Sequence, residues 1–288
     1  MGAYLNKPVT KKESELGENG RVRYAASCMQ GWRLYQEDAH NCILDFTENC
    51  SLFAVYDGHG GCEVAQYTAL HLPCLLKEKG AWKSGDYAKA IEEAFLEFDD
   101  ILRWLLLKVF YEFLFRAAEN QAAMSSDSEQ SFDEDYKEED ELSEEDEEDE
   151  ESEPDEEPCY NGPSGDTPGE DSGTTACLVL LFKDKIIVGN AGDSRAVLCR
   201  KGEAIELSRD HKPENPAETR IEAAGGVVSV DGRVNGGLNL SRALGDHFYK
   251  KNTNLPLKDQ MISALPDITE NTIGPDDEFV VVACDGIW

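Results

Sequence analysis

The 288-residue chain has little positive charge: 27 Lys and Arg stand against 59 Asp and Glu, a formal net charge of −32. So acidic a chain is repelled by a phosphate backbone, which disfavours a nucleic-acid binder of the basic-patch type. Anionic membrane surfaces are disfavoured on the same ground. Long apolar runs are lacking too. The most apolar stretch, 101–115, is broken by Arg103, Lys108 and Glu112, and is too short and too charged to span a bilayer. The N-terminus carries no apolar segment of the secretory kind. The nine Cys are odd in number and no two have Cys-x-x-Cys spacing, which argues against a disulfide framework and against a zinc ribbon or knuckle. Several, such as Cys177 and Cys284, sit in apolar runs and read as buried, reduced thiols of a cytosolic or nuclear protein. There is no Gly-x4-Gly-Lys-Ser/Thr phosphate loop. No Cys is followed six positions later by Arg, so a Cys-x5-Arg nucleophile loop is also missing.

What is present is unevenly distributed. Residues 127–157 hold 21 acids against the single base Lys137; without them the chain has 38 acids, 26 bases and a net charge of −12. Four zones follow: a polar, flexible arm at 1–20, a folded part at 21–124, an acidic then Pro/Gly-rich insert at 125–172, and a second folded part at 173–288. The insert cannot bury enough apolar surface to offset its chain entropy, so disorder is expected there. Short β-branched runs predict strands at 22–28, 51–56, 175–182, 185–188, 196–199 and 278–284. Helices are predicted at 62–79, 86–124 and 216–224. The apolar end of the second reads as a helix buried on most sides, or as an exposed stripe for a partner helix. Strands joined by short turns favour antiparallel sheets, and neither half has enough of them alone. One discontinuous domain is therefore expected.

Three apolar runs end in a carboxylate: Asp57 in Asp-Gly-His-Gly-Gly, Asp193 in Gly-Asp-Ser-Arg, and Asp285 in Asp-Gly. Each alone is an ordinary turn signal. Glu37-Asp38 adds an adjacent acidic pair that alone reads as a solvated loop. Together they suggest convergence at one sheet edge, where like charges need a cation. Oxygen-only ligands select Mg²⁺ or Mn²⁺ over zinc, and two such ions form a typical phosphoryl-hydrolysis centre.

The ordered set Met29-Gln-Gly-Trp-Arg33, Glu37-Asp38-Ala-His, Asp57-Gly-His-Gly-Gly, Ser172-Gly-Thr-Thr-Ala, Asn190-Ala-Gly-Asp-Ser-Arg195, Asp210-His-Lys-Pro, Ser241-Arg-Ala-Leu-Gly-Asp246 and Ala283-Cys-Asp285-Gly-Ile-Trp resembles the metal-dependent type-2C (PPM) serine/threonine phosphatases over about 21–82 and 172–288. The acidic insert, with Val234-Asn-Gly-Gly-Leu-Asn-Leu-Ser-Arg and Asp246-His-Phe-Tyr-Lys, resembles that family's gamma isoform. The resemblance implies an α+β fold, a four-layer α-β-β-α sandwich of two antiparallel sheets flanked by helices. It implies hydrolysis of phosphoserine and phosphothreonine in proteins by a metal-bound hydroxide at a binuclear Mg²⁺ or Mn²⁺ centre. On that pattern Asp57 bridges both metals, Gly58 offers its carbonyl, Asp285 binds one metal, Glu37 serves the second and Asp38 holds a metal-bound water. Arg33 binds the substrate phosphate with its planar fork. His59 is the general acid. Asp193 resembles the ligand of a third, weaker metal, and Asp246 a water-holding residue beside it.

The family places a further metal-binding Asp, in an Asp-Asn motif, beyond the position of Trp288. This chain is accordingly expected to lack its final strands. The alternative function is then a catalytically impaired fragment acting as an acidic binding protein for basic partners such as histones. The insert reads either as a solvated tether that keeps the protein soluble or as a docking surface for basic proteins, histones or basic splicing factors, by charge complementarity. Ser126, Ser131, Ser143 and Ser152 each have an acid three residues on, the pattern of acidophilic kinase sites. Gly2 is placed for myristoylation, although Asn6 stands where Ser or Thr is preferred. A monomer of the nucleus, the cytoplasm or both is expected.

Overall fold

The computed structural model describes residues 4–105 and 171–288. The expected insert at 125–172 falls, except for its last two residues, outside them. So do Gly2 and the four serines. The described residues belong to one compact unit. No helix among them is long and apolar enough to cross a membrane.

The strands are β1 (Tyr4–Val9), β2 (Glu13–Glu18), β3 (Arg23–Cys28), β4 (Gly31–Arg33), β5 (Ala39–Thr47), β6 (Cys50–Tyr56), β7 (Gly58–His59), β8 (Gly173–Thr174), β9 (Ala176–Leu181), β10 (Lys185–Ala191), β11 (Arg195–Arg200), β12 (Glu203–Glu206), β13 (Leu244–Gly245), β14 (Asp267–Thr272) and β15 (Asp277–Ala283). The helices are α1 (Glu63–Glu78), α2 (Gly80–Lys83), α3 (87–105) and α4 (Arg220–Ala223), and a 3-10 turn, Pro216–Glu218, leads into α4.

A five-stranded sheet runs β14-β10-β9-β6-β5, and a three-stranded sheet runs β12-β11-β15. Every pairing in them is antiparallel. Strand β9 shows how the layers stack. Its side chains alternate between faces. Ala176, Leu178 and Leu180 pack with α1 and α3 in one apolar core. Cys177 and Val179 pack with Ala196, Leu198, Val280 and Val282 of the second sheet in another. A strand buried on both faces must be apolar throughout, and β9 is. A helical layer and these two sheets thus stack through the core of the described residues.

Two helices meet the large sheet for reasons visible in their spacing. In α1, Val64, Thr68, Leu72 and Leu76 recur every four residues and are buried. Pro73 lies inside this helix and cannot donate to the carbonyl of Ala69. Asn41 of β5 takes over: its Nδ2–H donates to that carbonyl at 2.9 Å, while its Oδ1 accepts the Tyr56 hydroxyl at 2.9 Å. In α3, Ala90, Ile91, Ala94, Phe95, Phe98 and Leu102 form the buried face, while Trp104 is exposed.

The stretch expected to be a loose arm, 1–20, is not loose over its described residues. Strand β1 pairs with β4, and β2 pairs with β3 through six register partners, Glu13↔Cys28 to Glu18↔Arg23. Polar sequence hid this, because an edge hairpin needs a partner backbone rather than an apolar face. The helix expected at 216–224 is a 3-10 turn followed by the single-turn α4. Around it, buried Glu218 holds Arg242 at 3.0 Å and Arg220 at 2.7 Å, and Arg242 also reaches Asp267 at 2.7 Å.

Candidate active site

Strand β6 ends at Tyr56, and the chain then turns through Asp57 into the two-residue β7. The turn is clamped by Thr175. Its hydroxyl accepts the Asp57 N–H at 3.1 Å, and its own N–H donates to the Asp57 carbonyl at 3.0 Å. The Thr175 hydroxyl also bonds the buried Ser194 hydroxyl at 2.7 Å, tying the turn to the segment that carries Asp193. Asp285 follows β15 in the second sheet. Three carboxylates from separate strands therefore converge: Asp57, Asp193 and Asp285 offer oxygens within 4.8 Å of one another.

Asp38, at the entry to β5, joins from the other side: with Asp57 and Cys284 it forms a second group of donor atoms within 4.8 Å. The Cys284 thiol donates to Asp38 Oδ2 at 3.4 Å, and burial with the nearby Asp38 and Asp57 charges pushes that thiol up to about 12. Burial, and then the charges of Asp38, Asp285 and Asp193, push the Asp57 carboxyl up to about 8. Burial also raises Asp38, although hydrogen bonds from Cys284, Asp57 and Gln36 work against the rise. Crowding of this kind disfavours the charged form of a carboxyl unless a cation offsets it. The donor set is oxygen-rich and anionic, and it fits Mg²⁺ or Mn²⁺.

Glu37 lies outside both groups. Burial raises its carboxyl, opposed by a hydrogen bond from the Gly61 N–H and by the charges of His59 and Arg33. Its backbone carbonyl crosses directly over Gly58, where a Cβ would stand 2.2 Å from that oxygen. Only glycine fits there. Arg33 ends β4 with its guanidinium exposed, 6.0 Å from the centre of the Tyr4 ring.

A small sheet, β13-β8-β7, places His59 and Asp246. His59 pairs with Gly173, which pairs with Gly245 on its other side. Asp246, the next residue, adopts a left-handed conformation at φ 51° and turns its carboxylate back over Gly173. A Cβ on Gly173 would lie 2.4 Å from Asp246 Oδ2. The gap that glycine leaves lets Asp246 Oδ2 reach His59 Nε2 at 2.8 Å. Burial would lower the His59 pKa, but the Asp246 charge and hydrogen bond, with Asp57 and Asp193 beyond, raise it. A cleft of about 260 Å³ opens beside the pair, lined by Asp171, Leu238, Phe248 and Tyr249.

The structure thus gathers Asp38, Asp57, Asp193 and Asp285, sets Gly58 against Glu37, and pairs His59 with Asp246. Lys212 was not anticipated. Its ammonium donates to the buried carboxylate of Asp193 and offsets the rise that burial imposes on it. Its only trace in the sequence is its place in Asp210-His-Lys-Pro.

The model of the protein phosphatase 2C family matches residues 22–105 and 103–288. The chain belongs to that family, and is a metal-dependent phosphatase acting on protein serine and threonine phosphates. Among its curated relatives, protein phosphatase ppm-1.G of Caenorhabditis elegans is 38% identical, with 100% of this chain and 88% of the relative covered. Probable protein phosphatase 2C 21 of Arabidopsis thaliana is 42% identical, with 100% and 78% covered. Protein phosphatase 1G of Bos taurus is 34% identical, with 100% and 81% covered. Among solved structures, a phosphatase from a pathogenic strain of Toxoplasma gondii shares the fold at a TM-score of 0.56 and 22% identity, over 99% of this chain and 78% of that one.

Proposed function

We propose that Asp57, Asp285 and Glu37, with the backbone carbonyl of Gly58, would hold a pair of Mg²⁺ or Mn²⁺ ions. Asp193 serves a third, weaker ion. The observation that carries this reading is the convergence of Asp57, Asp193 and Asp285 within 4.8 Å, with Asp38 against Asp57. Bound ions in such a site supply an activated water and brace the phosphate oxygens.

The chain's own residues do the rest. Asp38 accepts a hydrogen bond from the attacking water and orients it. Arg33 grips the phosphate with two parallel N–H groups. Asp246 takes His59 Nε2 and leaves Nδ1 to protonate the departing seryl or threonyl oxygen. The raised His59 pKa favours the protonated form that can donate there. The cleft beside His59, with Leu238, Phe248 and Tyr249, receives residues that flank the phosphorylated side chain. The outer face of β15, where Phe279 and Val281 stand 57% and 46% exposed, is the side to which the outer helical layer of a four-layer sandwich would belong. The segment 125–172 docks basic proteins such as histones.

The test is turnover of a phosphoserine peptide with Mn²⁺. Activity that is abolished by EDTA, restored by Mn²⁺ and absent in Asp57→Ala supports the reading. Activity that resists EDTA, or that survives Asp57→Ala, refutes it.

A further inference from the structure

A third group of donor atoms lies away from the carboxylate centre: Glu15 of β2 with His40 and Cys42 of β5, all within 4.8 Å of one another. His40 and Cys42 are two residues apart on one strand and therefore project from the same face. That face is opposite the helices. Their register partners on β6 are Val55 and Phe53, and the Phe53 ring meets Tyr24 of β3 at 5.8 Å between centroids. The β2–β3 hairpin thus covers this edge of the sheet and brings Glu15 in from above. Glu15 Oε1 lies 3.3 Å from His40 Nε2, and the Cys42 thiol also hydrogen-bonds to Glu15. Tyr24 flanks the group, close enough for Glu15 and Cys42 to raise its hydroxyl pKa beyond what burial does.

The chemistry of this group differs from that of the carboxylate centre. It combines one sulfur, one imidazole and one carboxylate. Sulfur and imidazole select zinc, while Mg²⁺ and Mn²⁺ prefer oxygen. Tetrahedral zinc has bonds of about 2.0–2.3 Å, so its ligand atoms sit about 3.3–3.8 Å apart. Glu15 Oε1 and His40 Nε2, at 3.3 Å, already have that spacing, and the triad as a whole, within 4.8 Å, needs to contract by at most about 1 Å. Glu15 and His40 are half-exposed, at 48% and 39%, and have the freedom to supply the contraction.

We propose that Glu15, His40 and Cys42 form a zinc site with three protein ligands and a fourth position open to water. On binding, the Cys42 S–H bond breaks, a Zn–S bond forms and the proton leaves to solvent. Zinc then staples the β2–β3 hairpin to β5, the strand that begins one residue after Asp38.

The full chain, stripped of metal and kept reduced, is titrated with Co²⁺ in excess Mg²⁺, which saturates the oxygen sites. A thiolate-to-cobalt charge-transfer band that saturates at one equivalent and is bleached by Zn²⁺ is expected. Cys42→Ser abolishes the band, and Cys284→Ser keeps it. Glu15→Gln and His40→Gln weaken Co²⁺ binding at least about tenfold, since losing a ligand costs no less than losing a supporting partner. Near-UV circular dichroism establishes that each variant is folded, and the Gln variants decide if Cys42→Ser is not. The proposal fails if the wild type gives no band. It fails also if the band survives Cys42→Ser and vanishes in Cys284→Ser, or if both Gln variants bind as the wild type does.

Discussion

Lys250→Met is the perturbation whose effect can be worked most fully. Asp99 of α3 and Lys250 both have fully buried side chains, and Lys250 Nζ donates to Asp99 Oδ1 at 2.7 Å. Burial alone would raise the Asp99 pKa, but Lys250, with His247, pulls it from 3.8 to about 2. A drop of that size corresponds to about 2.5 kcal/mol. A depressed carboxyl stabilises the fold above its unfolded pKa. This contribution is therefore full above about pH 4 and disappears as pH falls through about 2. Removing Lys250 goes further, because it strands a buried charge, and costs about 3–5 kcal/mol. Asp99 also accepts the Gly245 N–H at 2.8 Å, one residue before Asp246. Replacing both partners, as Asp99→Leu with Lys250→Met, removes the stranded charge and adds one unsatisfied N–H, that of Gly245, at about 1–3 kcal/mol, while the Ala243 carbonyl, which Lys250 Nζ reaches at 2.9 Å, loses its donor in both variants. Urea unfolding followed by tryptophan fluorescence should show a large midpoint loss for the single variant at unchanged slope, and a clear recovery for the double variant. A single variant within 1 kcal/mol of wild type, or a double variant as unstable as the single, would refute the reasoning.

Three further outcomes are expected. His59→Gln should lower turnover of a phosphoserine peptide about a hundredfold. It should leave p-nitrophenyl phosphate nearly untouched, because that leaving group needs no proton; equal losses on both substrates would remove His59 as the acid. Gly58→Ala forces a Cβ to 2.2 Å from the Glu37 carbonyl and should cost about 1–3 kcal/mol, read as a lower thermal midpoint. An unchanged midpoint would mean that the Glu37 backbone yields freely. Deleting 125–172 should weaken histone binding at low salt and flatten its salt dependence, as a pull-down across a salt series would report; binding unchanged at low salt sinks the docking role.

Chemistry was easier to read from this chain than packing. The predicted strand at 51–56 became β6, and that at 175–182 became β9. Both are apolar because they are buried, β9 on two faces. Strands β5 and β14 escaped notice, since Ala39–Thr47 and Asp267–Thr272 mix polar and apolar residues at the edges of the large sheet. Of the hairpin β2–β3, the strand predicted at 22–28 became β3, whereas β2 stayed hidden for a related reason: Glu13, Glu15 and Glu18 fit water as well as they fit a strand. Asp57, Asp193 and Asp285 stood out because each follows a strand signal. Lys212 and Thr175 did not, because their parts depend on a neighbour distant in sequence, Asp193 in one case and the Asp57 turn in the other.

The position of the three carboxylates explains why one sheet alone could not make this site. Asp57 leaves the large sheet at β6, and Asp193 lies in the turn by which β10 of the large sheet passes to β11 of the second. Asp285 leaves the second sheet at β15, next to β11. Like charges therefore press the two sheets apart at this end, just where the packing of Cys177 and Val179 against Ala196 and Val282 draws them together. The protein meets that conflict with protons on Asp57, with Lys212 on Asp193 and with the Cys284 thiol on Asp38. Each partner offsets part of the repulsion among these carboxylates, and a divalent cation held there would act on the same charges.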